Sequence, residues 1–137
     1  MKIMGLDIGS KTIGVALSDD MGWTAQGVST IARKGLKRDL QELKGLLDQY
    51  NVSEIVIGLP KNMDGTIGKQ AEEVLDLAER IRTDLNIPVT PWDERLSTRA
   101  ATRTLLEADV SRKKRKKVID KMAAVFILQG FLDSKTK

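Results

Sequence analysis

Residues 54–59 read EIVIGL, an unbroken buried-type run closed by Pro60. Such a strand has no polar face, so it belongs in a sheet covered on both sides. The covering helices are legible on either side of it. Leu36, Leu40, Leu43, Leu47 and Tyr50 recur at helical spacing before the strand. Ala71, Val74, Leu75, Ala78, Ile81 and Leu85 form a second stripe after it.

Upstream, Lys2 to Ile8 is apolar with β-branched character, and Thr12 to Leu17 is a second such run. The intervening Gly9-Ser10-Lys11 has turn chemistry and predicts a hairpin. A third strand is expected within Trp23 to Ile31, and Ile87 to Trp92 reads as a short fifth strand after EIVIGL. Two helical segments follow, near Thr98 to Ala108 and Arg112 to Leu132. Hairpins come first and right-handed β-α-β units second. The expected fold is α/β: a mixed five-stranded sheet, three antiparallel strands and then parallel units, with helices on both faces. At 137 residues the chain fits one domain, spanning 1–137. In such sheets, sites form at the carboxyl ends of neighbouring strands. Asp7 ends the first strand, Glu94 ends the fifth, and GLPKNMDGT follows the fourth.

The residue types that are missing narrow the chemistry. There is no Cys and no His. Disulfides, thiolate metal sites and a histidine general base are therefore excluded. Any metal must sit on oxygen ligands, which points to hard cations such as Mg²⁺ or Mn²⁺. No apolar run approaches a membrane span, and the first residues lack the pattern of a secretory signal. A cytoplasmic protein without a membrane partner is expected. Net charge is +4, but six of the positive charges form one run, Arg112, Lys113, Lys114, Arg115, Lys116 and Lys117. The rest of the chain carries 17 Lys and Arg against 19 Asp and Glu. The basicity is local, which suggests a polyanionic partner.

Three acids are candidates for catalysis. Asp7 sits in GLDIGSKTIGVALSD at the end of an apolar strand, where burial is costly unless the acid is paired or metal-bound. Gly5 and Gly9 let other groups approach the backbone there. The alternative is an Asp that caps the hairpin turn. Glu94 lies in WDERLSTRAA beside its rival Asp93; strand alternation lets only one point into a site. Both could instead be helix N-terminal charges. Arg95 could pair with either acid or reach a phosphate. Asp120 lies in VIDKMAAVFILQGFL, at the edge of an apolar face where Ala123 and Ala124 permit close approach to the sheet. Its alternative is a pair with Lys116 or Lys117. Three clustered carboxylates would repel unless a cation sat between them. The chemistry that suits them is two-metal phosphodiester hydrolysis.

In GLPKNMDGTIGKQAEE, Gly58, Gly65 and Gly68 make a loop that leads into a helix. Lys61 and Asn62 could bind phosphate beside that helix. An ordinary loop with turn glycines explains the same spacing. The basic run is either a solvated helix start or a guide that steers a nucleic-acid backbone towards the acids.

Four segments, GLDIGSKTIGVALSD, IVIGLPKNMDGTIGKQA, DERLSTRAA and RKKRKKVIDKMAAVFILQGFLD, together resemble the YqgF (RuvX) family. Its members are described as Holliday-junction resolvases and as pre-16S rRNA nucleases. The resemblance implies a ribonuclease-H-like fold and a nuclease that uses divalent Mg²⁺ or Mn²⁺. It implies Asp7, Glu94 and Asp120 as the catalytic, metal-holding acids, with Glu94 preferred to Asp93. Lys11, Asn62 and Arg95 match further motif positions, expected to contact substrate. The implied biology is 5′-end maturation of 16S rRNA, with an assembling ribosomal particle as a partner; DNA junction resolution is the alternative. The first segment also resembles the phosphate loop of actin-like ATPases and sugar kinases, but those enzymes close two such domains around a nucleotide. A non-enzymatic RNA-binding module would leave the three acids unexplained. The helical stripes are used up in covering the sheet, so a monomer is expected.

Overall fold

The computed structural model describes residues 2–62, 64–93 and 112–135, with side chains in the last segment from Met122 onward. Among the described residues the order is β1 (Lys2–Ile8), β2 (Thr12–Ser18), β3 (Ala25–Ala32), α1 (Leu36–Tyr50), β4 (Val52–Leu59), α2 (Lys69–Leu85), β5 (Val89–Asp93) and α3 (Arg112–Lys135). The five strands form one sheet in the order β3-β2-β1-β4-β5. β1, β2 and β3 pair antiparallel, and β1-β4 and β4-β5 pair parallel. This is the expected mixed sheet. The helix expected near Thr98 to Ala108 lies outside the described residues.

Local chemistry explains the turns into the parallel strands. α1 ends at Asn51 and α2 at Asn86, both in the left-handed conformation, with φ of 54° and 52°. Asparagine tolerates that region better than most residues and stops a helix cleanly. Each then leads within a few residues into the next strand, β4 or β5.

The strands alternate between two covers. Met4, Leu6 and Ile8 of β1 share a core with Ile13, Val15, Ile55 and Ile57, packed under α1 and α2. Leu40, Leu43 and Leu47 supply α1's contribution; Ala71, Val74, Leu77, Ala78 and Ile81 supply that of α2. Leu77 takes a buried place where the sequence stripe had Leu75, which packs at the core's margin. Ala16 and Val56 face the other way and meet Ala124, Ile127, Leu128, Phe131 and Leu132 of α3.

α3 runs antiparallel to β1. Its Gln129 accepts from the Ala25 amide (2.9 Å) and donates to the Trp23 carbonyl (3.0 Å), at the amino end of β3. Lys135 reaches Glu54 near the start of β4. The amino-terminal half of α3 therefore extends towards the carboxyl ends of β1 and β4.

Candidate active site

Asp7 is the last polar residue of β1, half-buried between Leu6 and Ile8. Those neighbours enter the α1/α2 core, so alternation puts Asp7 on the α3 face. Across β2 it pairs with Gly14. On β4 the register Leu6–Ile57 continues to Gly58, so Asp7 lies between two glycines on its own face. Neither neighbour has a side chain to crowd the carboxylate. Asp7 also takes part in an interaction of its own within the fold.

α3 reaches this end of the face because the sheet is bare there. A Cβ added to Gly5 would lie 2.7 Å from Leu128 Cβ and 3.1 Å from the Ala124 carbonyl oxygen. Helix and strand are thus in backbone contact at Gly5. From Ala124 back to Asp120 is four helical residues, about 6 Å. From Gly5 to Asp7 is two strand residues, about 6.6 Å. The two steps run in the same direction and match in length. The α3 position of Asp120 and the β1 position of Asp7 therefore come to the same end of the same face, although 113 residues of sequence separate them.

Asp93 falls elsewhere. It pairs with Leu59 at the end of β5, one residue beyond Trp92. Trp92 belongs to the α3 side, where its ring meets Phe131 edge-on at 5.7 Å. Alternation places Asp93 on the α1/α2 side, opposite Asp7, and it is exposed. Glu94 and Arg95 themselves lie outside the described residues. No group of three acids converges among the described residues, of which Asp7 alone of the three candidates contributes its side chain.

The turn beside Asp7 is held by residues that the sequence reading passed over. The Gly9 amide donates to the Thr12 carbonyl (2.8 Å) and the Arg33 amide to the Lys11 carbonyl (2.9 Å). The Arg33 side chain donates through Nη1 to the Gly9 carbonyl (2.9 Å) and through Nε to Asp39 Oδ2 (3.3 Å). Asp39 is only 1% exposed and its Oδ1 also accepts from the Lys34 amide (3.0 Å). A buried carboxylate with two donors orients Arg33, and Arg33 fixes both ends of the turn that carries Lys11. Lys11 itself is exposed beyond that turn. The signal was weak in sequence, because an Asp in the first turn of a helix reads as a simple dipole partner.

The loop after β4 is a closed turn. The Asn62 amide donates to the Thr66 carbonyl (3.0 Å), and its side chain donates to Thr66 Oγ1 (2.9 Å). Thr66 in turn donates through its hydroxyl and amide to Asp64. Gly65, with φ of 87°, returns a bond to the Asn62 carbonyl (2.8 Å). Asn62 lies against Gly68, the residue before α2. It shapes the entry to α2, and Lys61 stands half-buried beside it. Arg112 to Lys117 form the start of α3, at the acid-bearing end of the molecule.

Comparisons with known proteins agree with this fold. The family model RuvX, described as Holliday junction resolvase, matches residues 1–134. A protein of Clostridium kluyveri carrying the name "Putative pre-16S rRNA nuclease" is 60% identical over 137 residues, all of both chains. Among solved structures, the Fowlpox virus resolvase with its Holliday junction DNA superposes with a TM-score of 0.64 at 13% identity, covering all of both chains. The RuvC of T. thermophilus with a Holliday junction substrate gives 0.60 at 11% identity, covering 99% of this chain and 96% of that one. At such identities these two share the fold, which is ribonuclease-H-like.

Proposed function

The chain belongs to the RuvX (YqgF) family and is a nuclease, and we propose that it matures the 5′ end of 16S rRNA from its precursor in the cytoplasm. The observation that carries the reading is the matched step along β1 and α3, which brings the positions of Asp7 and Asp120 to one end of one face. Glu94 completes the set, supported by the alternation that turns Asp93 away. These are the proposed catalytic acids and metal ligands.

The site suits hard divalent cations. Its donors are carboxylate oxygens, and the glycines flanking Asp7 leave room beside it. The family's nuclease chemistry depends on divalent metal. Two Mg²⁺ or Mn²⁺ ions, when bound, would supply an activated water and stabilise the leaving oxygen. The chain's own part is to hold the acids at fixed spacing and to position the phosphodiester. Lys11, on the turn clamped by Arg33, and Lys61, beside the α2 entry, both follow the carboxyl ends of their strands, which supports a role for them in meeting backbone phosphates. Asn62 acts there by shaping the loop as well as by contact. Arg95 and the run Arg112, Lys113, Lys114, Arg115, Lys116 and Lys117 are the further cations proposed to contact the substrate's phosphates.

We assign the whole chain, 1–137, to one domain that works as a monomer, with an assembling ribosomal particle presenting the RNA. No helix among the described residues is long and apolar enough to cross a membrane. The family description and the junction-bound structural neighbours favour a second reading, resolution of DNA four-way junctions. The test is cleavage of precursor 16S rRNA and of a synthetic four-way junction, each with Mn²⁺, with Mg²⁺ and with EDTA, alongside light scattering. Metal-dependent single cuts in the RNA by a monomer are expected. Paired symmetric nicks in the junction by a dimer, with the RNA intact, would establish the second reading instead.

A further inference from the structure

On the other side of the sheet edge from Asp7, the residues immediately after it line a cleft of about 460 Å³. Its floor is apolar, made by Ile8, Val74 and Leu77, all largely buried. Its rim is polar, made by Arg33, Gln70 and Glu73. We propose that this cleft is a base-binding subsite that takes an unstacked guanine from the nucleic-acid strand cut at Asp7. The inference rests on the nuclease reading.

Three observations lead to it. The first is position. Ile8 and Gly9 follow Asp7 directly and line the cleft, so a nucleotide next to a phosphate held at Asp7 has only the end of β1 to cross to reach it. Sequence-specific proteins read single-stranded RNA by this route, splaying bases out of the stack into side-chain pockets. The second is the pairing of an aliphatic floor with a polar rim. A base has apolar faces and a hydrogen-bonding edge, and this cleft offers the complement of both.

The third is the chemistry of the rim. The Glu73 carboxylate can accept two parallel hydrogen bonds. Guanine presents such a donor pair, N1–H and the exocyclic N2–H₂, side by side. Arg33 commits Nη1 to Gly9 and Nε to Asp39, which leaves Nη2 to donate to guanine O6. Adenine presents N1 as an acceptor at the same place, facing the carboxylate. Cytosine and uracil have a single donor on that edge beside an acceptor, and fill the floor less well. The orientation of Arg33 is built in by the buried Asp39, so the donor is in place before a base arrives.

The test uses the full chain in EDTA, so that binding is read without cleavage. Guanosine, adenosine, cytidine and uridine 5′-monophosphates are titrated in turn at millimolar concentration, following amide resonances. Guanosine monophosphate should bind at least about tenfold more tightly than the others. Its shifts should centre on Ser10, Gln70, Glu73 and Leu77. Glu73→Gln changes an exposed side chain and should reduce guanosine binding to the level of adenosine. Equal binding of all four, shifts centred elsewhere, or no binding at all would overturn the subsite. Cleavage of precursor 16S rRNA with Mn²⁺ is measured on the same preparations. RNA cleavage without guanine preference overturns the subsite and leaves the nuclease reading standing. Guanine preference in the cleft without cleavage of the precursor RNA overturns the reading of the chain as its nuclease instead.

Discussion

The two faces of the sheet are cut from the same strands and built to opposite rules. Under α1 and α2, β1, β2 and β4 present Met4, Leu6, Ile13, Val15, Ile55 and Ile57, all fully buried. Under α3, the alternate positions present Gly5, Asp7, Gly14, Ala16, Val56 and Gly58. The first face is bulky and apolar. Each fully buried aliphatic side chain there contributes about 1.5–3 kcal/mol. The second face gives up side-chain volume, and in return α3 comes into backbone contact with β1 at Gly5. The lesson is a division of labour: bulk on one face stabilises the sheet, and smallness on the other sets a helix-to-strand distance. That distance decides how far the position of Asp120 lies from that of Asp7.

The largest effect should come from the acid on the small face. Metal-assisted charge stabilisation is worth several kcal/mol, and about 1.4 kcal/mol corresponds to tenfold in rate. Asp7→Asn should therefore lower Mn²⁺-dependent cleavage by about a thousandfold. In EDTA its melting temperature should match or slightly exceed that of the parent chain, because carboxylate repulsion is relieved. A marked loss of stability in EDTA would make Asp7 a structural residue and remove the functional half of the comparison.

Next comes the bulky face. Leu43 of α1 is fully buried in the larger core. Leu43→Ala should lower stability by about 2–5 kcal/mol. Cleavage per folded molecule should stay within about twofold at a temperature where the variant is folded. Denaturant melts and initial rates check the two halves. A large rate loss in the folded variant would show that the faces are coupled after all.

Gly5→Ala sharpens the comparison further. The new Cβ would meet Leu128 Cβ and the Ala124 carbonyl, so α3 must shift. Overpacking of this kind costs about 1–3 kcal/mol. Unlike Leu43→Ala, it should also lower the cleavage rate, by about a hundredfold for a misplacement near 1 Å. Equal losses of stability with unequal losses of rate would confirm the division. A full rate in Gly5→Ala would break it.

The smallest effect belongs to the far end of α3. Asp19 caps the β2–β3 turn, and the amide of Trp23, then those of Thr24 and Gly22, hold its carboxyl below the usual carboxylate value. Trp23 and Ala25 of the same turn are tied to Gln129 of α3. A carboxyl lowered on folding stabilises the fold above its unfolded pKa, and that contribution is lost as pH falls through the folded value. Asp19→Asn should lower the melting temperature slightly at pH 7, and the difference should shrink as pH falls below 4. Because Asp19 lies at the surface and is only partly covered, the effect is small, and cleavage at pH 7 should not change. A rate loss would mean that the anchoring of α3 at one end controls the acids at the other.

Much of this architecture was readable in the chain. The EIVIGL run, the Leu36–Tyr50 stripe and the Gly9-Ser10-Lys11 turn lie where expected, in β4, α1 and the β1–β2 turn. The lengths of the elements and their order depend on neighbours two to four residues apart, and such periodicity is written locally. The Arg33–Asp39 clamp was not readable. Its two residues look like ordinary surface charges until the fold buries one and aims the other at Gly9. Leu77 and Leu75 are equally apolar, and only the roll of α2 on the sheet decides which is buried.

By itself the sequence determined that metal chemistry here must use oxygen ligands, since the chain has neither His nor Cys. It also determined that Asp7 lies at the carboxyl end region of an apolar strand, one residue before its last. The tertiary structure decided which face Asp7 shares with α3, and that Asp93 lies on the opposite one. It decided, too, that two glycines from separate strands would flank Asp7. These depend on register between strands and on the close approach of α3 to β1. Both are set by packing between segments up to more than a hundred residues apart, and no local pattern encodes them.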